Sequence, residues 1–169
     1  GQRAPDDSSH SIDEDGEMLV ICHDPWVDEL DAFVDHKQGA GIPVDVVPVS
    51  EVGNDASSIK SYIQQRYDTS DLAYVLLVGD AAEVATPQAS GGAADPTYAK
   101  VDGGDDYPDI LLGRFSASAV EQLRTQVQRS IDYENAPASD QDWYWRGTGI
   151  ASDEGAGQGD EGQSDRQHI

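Results

Sequence analysis

Hydrophobic residues along this chain fall into two alternating patterns, short unbroken runs and longer spaced stripes, and each predicts a different element. The runs Met18–Cys22, Pro43–Val49 and Ala73–Val78 are bounded by polar or turn residues and rich in aliphatic side chains, so they read as buried strands. Between them the spacing switches. Trp26, Leu30, Phe33 and Val34 share one helical face behind an Asp24-Pro25 opening, with Gly39 as the stop. Ile59, Tyr62, Ile63 and nearby Tyr67 form a second stripe, capped by Asp55 or Ser57. The longest helix follows Gly113-Arg114-Phe115-Ser116, with a Ser118-x-x-Glu121 capping box and the stripe Val120, Leu123, Val127 and Ile131. Residues Ala81 to Thr97 show no period and are rich in Ala, Gly and Pro, which reads as a surface excursion. Tyr98–Val101 and Asp109–Leu112 are further strand candidates, and Thr148–Ser152 reads as another buried strand beyond a polar hinge from Asn135 to Asp142.

Alternating strands and helices predict an α/β fold with a mostly parallel sheet and helices on both faces. Strand order is not encoded in the pattern, and a flavodoxin-like order is the fallback. Residues 1–16 are polar and rich in Asp and Ser, so they read as a disordered acidic tail, with the folded part spanning residues 17–169. The chain reaches Ile169 just after a loop, before a helix that would cover the last predicted strand, so the expectation is a fold incomplete at its C-terminus.

Charge changes the range of partners. With Asp+Glu 33 against Lys+Arg 10, a net charge of -23 repels phosphate backbones and anionic lipid headgroups, which argues against nucleic acid and against a membrane surface. The only lysines are Lys37, Lys60 and Lys100. Such a balance suits a protein kept soluble in high salt or one that uses divalent cations. No apolar stretch is long enough to span a bilayer. Cys22 is the single cysteine, excluding an internal disulfide and any multi-cysteine zinc site. Its neighbour His23 would lie on the opposite face of a strand, so the two do not read as a nucleophile and base. His10, His23, His36 and His168 are scattered without the i, i+4 pairing of a helical zinc site, and no Gly-x-Ser-x-Gly elbow is present. The chain contains no complete catalytic set.

Two acidic loops carry the candidate chemistry. Asp80 follows the third strand, where open α/β sheets place their ligands, and Asp102-Gly-Gly-Asp105-Asp106-Tyr107-Pro-Asp109 is the nearest dense group of carboxylates. Asp80, Asp105 and Asp109, with Asp102 and the Tyr107 carbonyl, read as oxygen ligands for a hard cation such as calcium, although the spacing is not that of an EF-hand. An ordinary solvated acidic turn is the alternative. The second loop runs from Asp153 to Asp165 and contains a formal Gly157-x-Gly159-x-x-Gly162 match, but Asp160 and Glu161 would face a pyrophosphate with like charge. Glu154 or Asp165 there could instead receive a cationic substrate group.

Five blocks, taken in order, resemble the gingipain-type cysteine peptidases: Tyr74-Val-Leu-Leu-Val-Gly-Asp80; Asp105-Asp-Tyr107-Pro-Asp109-Ile-Leu-Leu-Gly-Arg114-Phe115-Ser; Leu123-x-x-Gln126-x-x-Arg129-x-Ile131-x-Tyr133-Glu134; Ile150-Ala-Ser152-x-Glu154-Gly; and Ser164-Asp165-x-Gln167-His168. The resemblance covers nearly everything from Glu17 to Ile169. It implies a caspase-like α/β fold, with this chain as the N-terminal part of a catalytic domain whose His and Cys lie further along. It also implies a secreted, calcium-stabilised endopeptidase that cleaves polypeptides after Arg or Lys, completed by the rest of its catalytic domain. By the same resemblance Asp165 is the carboxylate of the primary specificity pocket and Glu154 lies beside the catalytic centre. Asp80, Asp105, Tyr107 and Asp109 fall where the family binds structural calcium, with Gln163 and His168 as further contributors. Gln163 stands where the family motif has Glu. A non-catalytic calcium-dependent binding or scaffold domain is the alternative function.

Overall fold

The computed structural model describes residues 16–89, 91–135 and 147–148. These lie mainly in the first of two compact units, Gly1–Glu134, and the fold below is that unit's. Four parallel strands form its sheet in the order β2-β1-β3-β6, with β1 at Glu17–Cys22, β2 at Val44–Pro48, β3 at Leu72–Val78 and β6 at Leu111–Phe115. Two short strands, β4 at Gln88–Ala89 and β5 at Gly92–Ala93, pair as an exposed hairpin within the excursion.

Period-two alternation along the central strands feeds two separate cores, as expected for a sheet covered on both sides. Met18, Val20 and Cys22 of β1, with Leu76 and Val78 of β3, pack against Trp26, Leu30 and Phe33 and against Leu123 and Val127. These belong to a short 3-10 helix at Asp24–Leu30, to α1 at Asp31–Gly39 and to α4 at Val120–Asn135. On the other face Leu19, Ile21, Val75 and Leu77 meet Ile59 and Ile63 of α3, which spans Ala56–Thr69, together with Tyr98, Val101 and Ile110. The expected parallel sheet with helices on both faces is what forms.

Local chemistry explains the boundaries. Asp55 is the cap of α3, its Oδ1 accepting from the Ser57 and Ser58 amides at 3.0 and 2.9 Å. At α4 the reach-back comes from Gln122, not Glu121: its Oε1 accepts from the Ser118 amide at 2.8 Å. The helix is then clamped to α1 at its far end, where Glu134 meets His36 at 2.8 Å and Lys37 at 2.5 Å. A single turn, α2 at Val49–Val52, follows β2 and has no apolar stripe that would announce it.

Two strand expectations are corrected. Tyr98–Val101 is not a strand: a 3-10 turn at Asp95–Ala99 opens on Pro96 and buries Tyr98 completely, its hydroxyl donating to the Ala85 carbonyl at 2.8 Å. The last described strand begins at Leu111 and takes in Gly113, Arg114 and Phe115, because Asp109 is held outside the ladder by its own hydrogen bonds. The predicted strand Thr148–Ser152 lies largely outside the described residues.

Candidate functional site

A doubly wound sheet binds ligands at its carboxyl edge, where the connections diverge. Here β1 leads outward to β2 on one side while β3 and β6 lie on the other, so the divergence falls between the ends of β1 and β3. The chain closes this edge with backbone bonds. The His23 amide donates to the Val78 carbonyl at 2.9 Å, Gly79 to Phe115 at 3.0 Å and Asp80 to Ala117 at 2.8 Å. Gly79 is required there: its φ is +133°, and a Cβ would sit 2.7 Å from that of Glu83. Asp80 emerges exposed from this turn, its Oδ1 accepting from the Ala81 amide at 2.9 Å and the Ser116 hydroxyl at 3.1 Å.

Two residues at this edge were not singled out by the sequence. Arg114 donates to both carboxylate oxygens of Asp95, at 2.6 and 2.8 Å, and through Nη1 to the Gly79 and Val84 carbonyls at 2.9 Å each. Thr86 adds a hydroxyl bond to Asp95 at 2.6 Å. One planar guanidinium thus ties the end of β3 and the entire excursion to β6, a fork geometry that lysine could not reproduce. The Arg114 guanidinium, foremost among the groups around it, holds the Asp95 carboxyl below the usual range. The other residue is Glu83, whose Oε2 is buried without a partner among the described residues. An arginine in a strand and an acid in a loop carry no periodic signature, and Arg114 gains its meaning only from Asp95, Gly79 and Val84, distant in sequence.

Cys22 is fully buried under α1 and α4, and its thiol donates to the His23 carbonyl at 3.3 Å. Burial, helped by nearby Asp24, pushes the thiol up to about 12. The His23 ring turns away to pack edge-on against Trp26 at 4.8 Å. This pair therefore offers neither a thiolate nor an aligned base.

The acidic loop sits elsewhere. Because β3 and β6 run parallel in register from Tyr74–Leu111 to Val78–Phe115, about 13 Å of strand separates the first and last pairs. Asp80 lies beyond one end and Asp109 before the other. Two oxygens on one calcium ion stand no more than about 5 Å apart. The expected shared centre of Asp80, Asp105 and Asp109 is thus corrected: Asp80 belongs to the carboxyl edge and the other two to the amino edge.

Within the loop, Asp109 Oδ2 accepts from the Val101 and Asp102 amides at 2.8 Å each. Asp102 Oδ1 accepts from the Gly103 amide at 2.8 Å and Asp105 Oδ1 from the Tyr107 amide at 2.9 Å. Gly103, at φ +70°, makes the turn that folds these carboxylates onto local amides. Asp106 pairs with Lys100 at 2.7 Å, and Tyr107 is 62% exposed. The donor set is all oxygen, which fits a hard cation in kind, yet among the described residues no three His, Cys, Asp or Glu side chains are gathered as a metal would need. Glu154, Gln163, Asp165 and His168 lie outside the described residues.

Comparison with known proteins places the arrangement. The family model described as Peptidase family C25 matches residues 11–168. Gingipain R2 of Porphyromonas gingivalis is 34% identical over 159 residues, covering 92% of this chain and 22% of that protein. Lys-gingipain of the same organism is 28% identical over 135 residues, covering 75% of this chain and 8% of its own length. The crystal structure of the Arg specific cysteine proteinase gingipain R superimposes with a TM-score of 0.80 at 34% identity, over 95% of this chain and 38% of that one. The complex of Porphyromonas gingivalis RgpB pro- and mature domains gives 0.76 at 35%, over 90% and 37%. The chain therefore spans well under half the length of the relatives it matches. The four-strand order alone would also suit a flavodoxin-like sheet, but these neighbours settle the architecture as caspase-like. A parallel sheet closed at its carboxyl edge, a buried and unreactive thiol, and a family match along nearly the whole length lead to one statement: this chain belongs to Peptidase family C25.

Proposed function

We propose that this chain is the N-terminal portion of the catalytic domain of a secreted cysteine endopeptidase that cleaves polypeptides after Arg or Lys. The observation that carries the reading is the 34% identity to Gingipain R2 over 92% of the chain, together with a family match over residues 11–168 that includes the block around Asp165. Asp165 is the carboxylate that receives the basic side chain, since a guanidinium or ammonium pairs strongly with a carboxylate once water is excluded. Glu154 flanks the catalytic centre. The thiolate and the imidazole come from the remainder of the catalytic domain, because the one cysteine described here is packed in the core. The described part supplies a rigid wall: Arg114 and the Gly79 turn fix the carboxyl edge so that groups carried beside it hold their positions, which is how proximity lowers a barrier. The test is a positional peptide library offered to the natural polypeptide that contains this chain. Cleavage confined to bonds following Arg or Lys is expected, and indifference to that position would remove the proposal.

Calcium is proposed as a structural ion of the amino-edge loop, which on binding draws Asp102, Asp105 and Asp109 off their local amides to join the Tyr107 carbonyl around one centre; the family resemblance adds Gln163 and His168 as calcium contributors. Its chemistry there is charge neutralisation of crowded carboxylates, with no part in bond cleavage. Calcium at 100 times its dissociation constant stabilises the folded state by about 2.7 kcal/mol. The rise in Tm should vanish in Asp105→Ala/Asp109→Ala and survive in Asp80→Ala, as read by calorimetry with and without chelator. Equal loss in both variants would contradict the separation of the two edges.

A further inference from the structure

We propose that Lys100–Val101 is a latent cleavage site, the bond at which a lysine-directed endopeptidase first opens this chain, and that Lys60, Gln64 and Asp109 form the latch that sets its rate. Peptidases bind their substrates as extended backbone, so a bond in a helix or a paired strand must unfold before it can be cut. Lys37 lies in α1 and Lys60 in α3, while Lys100 lies in neither helix nor strand. Its side chain is 33% exposed and its tether to Asp106 ends on a carboxylate 97% exposed, an ion pair that holds little.

The backbone is held far better than the side chain. The Lys100 carbonyl, which would be the electrophile, accepts from the Lys60 ammonium at 2.5 Å, and the same ammonium reaches the Tyr98 carbonyl at 3.2 Å. Gln64 donates to the Val101 carbonyl at 2.7 Å. The Val101 amide, on the leaving side of the bond, donates to Asp109 at 2.8 Å, and the Val101 side chain is buried in the core beneath α3. Both halves of this peptide bond are therefore engaged by side chains that must let go together. Burial lowers the Lys60 ammonium's pKa, Asp109 offsets part of that and Lys100 adds to it, so the latch is electrostatically coupled across the segment. Opening is local, since it breaks side-chain bonds to one strap and leaves the β1–β3 and β3–β6 ladders intact. A cut would place β6 and α4 on one fragment and β1, β2 and β3 on the other.

This inference stands on the geometry and not on the proposed peptidase activity. The test uses an external lysine-specific endoproteinase on the folded natural polypeptide that contains this chain, in the presence of a chelator, with new N-termini inside the chain sequenced over time. The first is expected to begin at Val101. Lys60→Met and Gln64→Ala should each raise that rate about tenfold, the loss of roughly one hydrogen bond involving a charged or buried partner. Cleavage after Lys37 is the internal reference: general unfolding accelerates both cuts, whereas release of the latch accelerates one. Should Lys60→Met fail to fold, Gln64→Ala decides alone. A first cut after Lys37 or Lys60, or variants that leave the Val101 rate unchanged relative to the Lys37 rate, would overturn the proposal.

Discussion

Arg114→Met is expected to destabilise the fold by about 2–4 kcal/mol. Methionine keeps the apolar stem and removes only the guanidinium. What remains is an Asp95 carboxylate 24% exposed, still bonded to Thr86, and the carbonyls of Gly79 and Val84 without their shared donor. Breaking a buried pair by removing one partner costs about 3–5 kcal/mol, and the residual access of Asp95 to water lowers that range here. At about 2–4 °C per kcal/mol, Tm should fall by roughly 4–16 °C. The pH dependence has a sign that can be checked. Because Arg114 depresses the Asp95 carboxyl, the pair's stabilisation is fully present above the usual Asp value and is lost as pH falls through the depressed one. Arg114→Met should lose that acid-side dependence, and Arg114→Met/Asp95→Leu should recover part of the stability. A variant melting within a degree or two of the natural chain would show that the excursion is held by something else.

The second large effect concerns specificity. In the natural polypeptide, Asp165→Ala should lower kcat/KM for substrates with Arg or Lys before the scissile bond by about 30-fold to several thousand-fold, the range for removing one member of a desolvated charge pair. Citrulline in place of arginine keeps the shape and removes the charge. For that substrate the variant and the natural enzyme should differ little. The contrast is what matters, because a collapse of the pocket would lower both substrates together. Equal loss for both would mean that Asp165 acts through structure and not as the receiving carboxylate.

How much of this was legible in the residues differs by element. The central strands were, since runs such as Val75–Val78 have one reading when flanked by turn residues and helical stripes. So were α3 and α4, whose stripes are regular, and the α3 cap at Asp55; at α4 the stripe was legible but the cap partner was not, since Gln122 takes the role expected of Glu121. The segment from Ala94 to Ile110 was not. Tyr98, Ala99 and Val101 look like strand because they are apolar and close together, but the Tyr98 and Val101 carbonyls accept from Lys60 and Gln64, some forty residues upstream, and the Ala99 carbonyl from the Asp109 amide, and no local pattern announces that. The same holds for Arg114, which reads as part of the lead into the longest helix until Asp95 is placed beside it. Acidic residues were the least legible. Asp80 and Asp109 both follow or precede strands, yet register puts them at opposite ends of the sheet, and register is a property of pairing that sequence spacing alone does not carry. Family resemblance read from dispersed blocks succeeded because it draws on order and spacing over the whole chain.

The central proposal is that this chain, a member of Peptidase family C25, is part of a thiol peptidase of basic specificity whose nucleophile is not Cys22. An arginine-bearing acyloxymethyl ketone, which alkylates the attacking thiolate, tests it on the natural polypeptide by peptide mapping of the labelled residue. The expected result is stoichiometric labelling of a cysteine outside this chain, with Cys22 untouched until the protein is unfolded. Labelling of Cys22 in the folded protein, or an enzyme that cleaves after Arg while no thiol is labelled, would contradict it.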